Sequence, residues 1–72
     1  MSSFSERLKE LRLKSGIKQI EIAAMLGVQA RTMRFYESGN HEPSIESIIK
    51  LADFFDISTD YLLGRSDDPT RR

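Results

Sequence analysis

Two apolar helical faces on either side of a single glycine constrain this chain more than any other feature. Ile22, Ala23 and Leu26 recur at the i, i+1, i+4 spacing of a buried helix face, and farther on Met33 and Tyr36 share a second face with Glu37. Gly27 stands between them, where a helix end calls for positive φ and glycine carries no Cβ penalty. Val28 is a lone apolar plug in the turn. A turn this short forces the two helices to cross steeply, and the small Ala23 suits their closest approach. The chain has 72 residues and no cysteine. Neither disulfides nor a thiolate zinc site can therefore supplement the core, which has to be shared efficiently among short helices.

The outer side of the second helix carries different chemistry. At about 100° per residue, Ala30, Arg31, Arg34, Phe35 and Ser38 form a stripe turned away from Met33 and Tyr36. Two arginines beside an aromatic residue make a surface that no core would choose. This is the arrangement by which a helix-turn-helix lays its second helix in the major groove of DNA.

The flanking segments read as further helices. Ser3-Phe4-Ser5-Glu6 has the form of a capping box and starts a helix near Ser3, with Phe4, Leu8 and Leu11 inward and Glu6, Lys9, Glu10 and Lys14 in solvent, up to Ser15-Gly16. Residues 39–43 form a loop closed by Pro43. Ser44 caps a fourth helix, for which Ile45, Ile48, Ile49, Ala52 and Phe55 are the expected buried face, with Glu46 well placed in its first turn. Ser58 and Asp60 start a short fifth helix in which Tyr61, Leu62 and Leu63 close the domain before Gly64. Residues 65–72 have no apolar residue to hold them down and read as a flexible charged tail.

The formal net charge is zero, which by itself argues against nucleic acid, since phosphate binding relies on excess cation. Its distribution argues the other way. Residues 1–40 hold seven Lys or Arg against four Glu, and residues 41–72 hold four against seven Asp or Glu. The half containing the two-helix unit is thus the positive one, as a chain presenting one face to DNA requires. His41 is the only histidine, so a metal site is not expected. Asp53, Asp56 and Asp60 read as caps and solvated surface, and no phosphate-cradling glycine loop or Ser/His/Asp set can be assembled. No enzyme, cofactor or small-molecule ligand is expected. No 18-residue apolar run or signal-like segment is visible, which points to a soluble protein with no membrane partner.

From Phe4 to Gly64 the chain resembles the small DNA-binding domains of the lambda and 434 repressor, Cro and Xre families. The resemblance rests on Gln19, Ala23, Gly27, Met33, Tyr36 and Glu37-Ser38-Gly39, then on Glu42-Pro43-Ser44, on Ile48, Leu51 and Ala52, and on residues 58–64. It implies an all-α, compact five-helix lambda-repressor-like domain over residues 1–64, with the motif at about 19–38. It further implies base contacts from Gln29, Ala30, Arg31, Arg34 and Phe35. Phosphate contacts are implied for Lys18, Gln19, Thr32, Ser38 and Asn40. Arg12 and Glu37 fall on positions that pair in the 434-type repressors, a structural role.

Two residues depart from the family pattern. Lys18 and Gln29 stand where the family usually has small caps, a loss of about 0.5–2 kcal/mol each; both lie where a longer polar side chain reaches the DNA backbone, so exchange for function and tolerated drift both account for them. Phe35, normally polar in the family, is read either as packing on a thymine methyl group or as part of a dimer or partner contact.

The expected function is that of a sequence-specific transcriptional regulator, repressor-like, with the helix over residues 29–38 in the major groove of a palindromic operator. One such domain reads only about four or five base pairs, so a homodimer on two half-sites is expected. Phe54 and Tyr61 are the candidate interface residues. The resemblance implies the cytoplasm of a bacterial cell, and it fits a phage repressor, a restriction-modification controller or an antitoxin-type regulator alike. The rival reading is a protein-interaction module that kept the fold and lost the operator, suggested by the zero net charge, Phe35, Ile20 and Met25. Relatives often carry a second domain, so the tail reads equally as the start of a linker.

Overall fold

In the computed structural model, which describes residues 3–71, the Ser3 hydroxyl accepts from the Glu6 N–H (3.3 Å) while the Glu6 carboxylate accepts from the Ser3 N–H (3.4 Å). This reciprocal cap starts α1, Phe4–Ser15. Ser44 and Ser58 do the same work for α4, Ile45–Phe55, and α5, Thr59–Leu62, accepting from the N–H groups of Ser47 and Tyr61. Between them lie α2, Gln19–Leu26, and α3, Ala30–Ser38, and the described residues contain no strand. The five-helix expectation therefore holds.

The two uncapped positions differ from each other. The Lys18 side chain accepts nothing, yet the Glu21 carboxylate reaches back to the Lys18 N–H (3.0 Å), so α2 keeps half of a capping box. Gln29 makes no side-chain cap bond, and α3 begins at Ala30. Gly27 sits at φ 75°, where an added Cβ would meet nothing within 4 Å. The need for glycine there is conformational rather than steric.

Helices of four to twelve residues do not stand alone in water, so tertiary burial has to hold them. Leu8, Ile22, Met33, Leu51 and Leu62 are the largest fully buried side chains, one from each helix. Burying each contributes about 1.5–3 kcal/mol. Ala23 and Ala52 fill the close approaches, with Tyr36, Leu26 and Ile57 around them.

On α4 the structure corrects the expected inner face. Ile45 is 81% exposed and Ile49 50%, while Leu51 and Ala52 are buried and Ile48 and Phe55 pack against the core. The inner stripe is Ile48, Leu51, Ala52 and Phe55, spaced i, i+3, i+4, i+7. With Ile45, Ile49 and Phe54 also apolar, periodicity alone permits two rotations of this helix.

On α1, Arg7 shares the inner stripe with Phe4, Leu8 and Leu11 and is buried. Its guanidinium lies 3.9 Å from the centre of the Tyr61 ring and pairs with Asp67 at 3.3 Å, while Nε has no hydrogen-bond partner. Desolvation alone would lower its pKa, but the contacts with Tyr61 and Asp67 outweigh burial and raise it. Residues 65–71, which have no apolar anchor, lie against α4 and α5 through polar contacts. The Ser58 N–H donates to the Pro69 carbonyl (3.0 Å), and Arg71 pairs with Asp53 (2.5 Å) and Asp56 (3.4 Å).

Candidate nucleic-acid interface

The surface of interest is built from the start of α2, the outer side of α3 and the loop that follows. Met33 and Tyr36 pin α3 to the core, which turns Arg31, Arg34 and Ser38 into solvent and leaves Ala30, Thr32 and Phe35 half-buried. Lys18, Gln29 and Asn40 are exposed and Gln19 is half-buried. Arg31, Arg34, Lys9 and Lys18 make no ion pair among the described residues. Their charges are available to an anion outside the protein.

One buried clamp sets the angle of α3. Arg12 Nε donates to Glu37 Oε2 (2.5 Å) and Nη2 to Oε1 (3.1 Å), a two-pronged pair, while Nη1 holds the Ile17 carbonyl (3.1 Å). Both side chains are largely buried, at 13% and 5% exposure. Gln19 joins them, its amide donating to Glu37 Oε1 at 3.0 Å. Its second amide hydrogen and the N-terminus of α2 remain available for a phosphate. Arg12 is neutralised within the protein, whereas Lys9, Lys18 and Arg34, which line the same groove together with Gln19, Glu37 and Ser38, are not.

A second concavity lies on the other side of α3, lined by Arg31, Thr32, Phe35, Tyr36, His41 and Glu42. Within it the Phe35 and His41 rings meet edge to face, with centres 5.1 Å apart and planes inclined at 66°. His41, considered in the sequence only as a metal ligand, thus has another role. Its signal was present in the turn at Gly39 (φ 84°), which folds the chain back toward the end of α3. Among the described residues no group of three His, Cys, Asp or Glu side chains is placed to hold a metal ion. Of the candidate interface pair, Phe54 is 44% exposed and meets Phe55 edge-on, whereas one face of Tyr61 is covered by Arg7.

Residues 8–62 match the helix-turn-helix family over most of the chain. The chain belongs to that family. It is 37% identical over 65 residues to the HTH-type transcriptional regulator ImmR of Bacillus subtilis, a match covering 90% of this chain and 51% of ImmR. Against AnsR, from the same organism, identity is 45% over 60 residues, covering 83% of this chain and 52% of that regulator. The chain therefore spans about half the length of the curated relatives it matches. Among solved structures, the P22 c2 repressor in complex with a synthetic operator superposes with a TM-score of 0.83 at 29% identity, over 92% of this chain and all of the repressor domain. The lambda/434-like helix-turn-helix fold expected from the residues is thus the fold found.

Proposed function

We propose that this chain is the DNA-binding domain of a transcriptional regulator, repressor-like, that sets α3 into the major groove of its operator. The observation that carries this is the unpaired outer stripe of α3, Arg31 and Arg34 beside a half-buried Phe35, held at a fixed angle by the Arg12–Glu37 clamp. A guanidinium matches the O6/N7 edge of guanine. In this reading Arg31 reads a base, Arg34 a base or a phosphate, and Gln29, Ala30 and Phe35 line the base edges. Lys18, Gln19, Thr32, Ser38 and Asn40 face the sugar-phosphate backbone, where contacts set register without reading sequence. A two-fold dimer on a palindromic site supplies the second half-site that one short helix lacks.

The family and the likeness to a repressor bound to an operator support the reading. The test is equilibrium binding to random duplex and to a duplex selected from a random pool, across a salt series. Tight binding to the selected site, and weaker binding to random duplex that falls steeply with salt, is the expected result. Absence of binding at low salt would select a protein-interaction module instead. Sedimentation on saturated operator checks the dimer: one monomer per site sinks it.

A further inference from the structure

Resting on that reading, we propose that Phe35 and His41 together form a reader of a pyrimidine C5-methyl group in the major groove, with His41 as the residue that positions the Phe35 ring. Phe35 is the aromatic side chain on the outer stripe of α3, and a half-exposed ring there has only apolar chemistry to offer a base edge. A free phenyl ring on a helix surface samples several rotamers, and each must be given up on binding. Here the ring is already held. His41 meets it edge to face, and the Phe35 carbonyl accepts from the Ser38 hydroxyl (3.1 Å) and from the Asn40 N–H (3.0 Å), which ties the turn carrying His41 to the residue it braces.

The surroundings say what the ring faces. Arg31, one turn earlier on the stripe, lines the same concavity and carries the donors that fit guanine. Glu42 lines it too. A carboxylate repels phosphate oxygens, so the part of this concavity between Phe35 and Glu42 suits a base edge rather than the backbone. An apolar ring beside a guanidinium matches a methylated pyrimidine next to a guanine. Thymine and 5-methylcytosine both carry that methyl group, and the chemistry at the ring is the same for both.

The experiment starts from the selected operator and replaces each thymine in turn by deoxyuridine, which removes only the methyl group. Binding is measured for the parent, Phe35→Ala, His41→Ala and His41→Tyr. One thymine in each half-site should cost the parent about fourfold in affinity when its methyl is removed. Phe35→Ala should abolish that difference. His41→Ala should lose most of it while keeping the parent's salt slope, and His41→Tyr, which restores an aromatic edge, should recover it. A parallel pair of duplexes with cytosine or 5-methylcytosine at the same position separates the sources. A gain on methylation in the parent that vanishes in His41→Ala extends the reader to 5-methylcytosine; no gain beside an intact deoxyuridine penalty confines it to thymine. Full deoxyuridine discrimination in His41→Ala, or none in the parent, overturns the proposal while leaving operator binding standing. A parent that binds no duplex overturns both.

Discussion

The two ends of this molecule treat most of their cations in opposite ways. Around α4, α5 and the tail, Arg7 lies on Tyr61 and pairs with Asp67, and Arg71 bridges Asp53 and Asp56. Around α2 and α3, only Arg12 is paired, and Lys9, Lys18, Arg31 and Arg34 face outward without an acidic partner among the described residues. A chain with eleven basic and eleven acidic residues therefore leaves four cations without an ion pair among the described residues around α2 and α3. Net charge is a poor guide to nucleic-acid binding where internal pairing is segregated.

The largest effect is expected at the one paired arginine beside α2 and α3. Arg12→Ala or Glu37→Ala should each destabilise the fold by about 3 kcal/mol or more, since either leaves a mostly buried charge without its opposite charge, and the double neutral variant should cost less than the two singles together. A denaturant double-mutant cycle without coupling would remove the clamp from the account. Next in size, Arg31→Ala should weaken the preferred site by about 1–3 kcal/mol and relax the preference at one base pair. Gln19→Ala should instead weaken all sequences alike. If selection with Arg31→Ala returned the parent's motif unchanged, Arg31 would not be a base reader.

A third substitution sets stability against charge at a single position. Lys18→Ser should add a cap worth about 1 kcal/mol to α2 and lower the salt slope of DNA binding by about one per site. A gain in stability with an unchanged slope would mean that Lys18 touches no phosphate. The smallest effect is expected at the other end. Arg71→Ala breaks an exposed pair and should shift stability by less than about 0.5 kcal/mol, with DNA affinity unaltered. A large loss of affinity there would dissolve the distinction between the two ends.

How far the residues foretold this depends on whether the information was local. Ser3, Ser44 and Ser58 were legible as caps because each bonds within its own first turn. The Gly27 turn and the Met33/Tyr36 inner face were legible for the same reason. The rotation of α4 was not, because apolar residues surround that helix and the neighbours decide which stripe turns inward. Burial of Arg7 is not legible from its place on the stripe of Leu8, since a charged residue there reads as solvent-facing until its partners Tyr61 and Asp67, more than fifty residues away, are in place. The tail is held by polar contacts to Ser58, Asp53 and Asp56, which apolar patterning does not register. The base and phosphate assignments came from the family pattern, and the Phe35–His41 contact emerges only once the Gly39 turn is folded.

That each of the five helices gives one fully buried side chain to a shared centre has a consequence for motion. Peeling α3 away uncovers α1 and α2, on which it packs, so amide hydrogens in α2 and α3 should exchange with nearly the same protection as those in α1. Fraying of α3 by itself would then cost much of the core that it shares with α1 and α2. Fluctuation on the outer side of α3 should then be confined to side chains and loop residues, with the helix itself as rigid as the core beneath it.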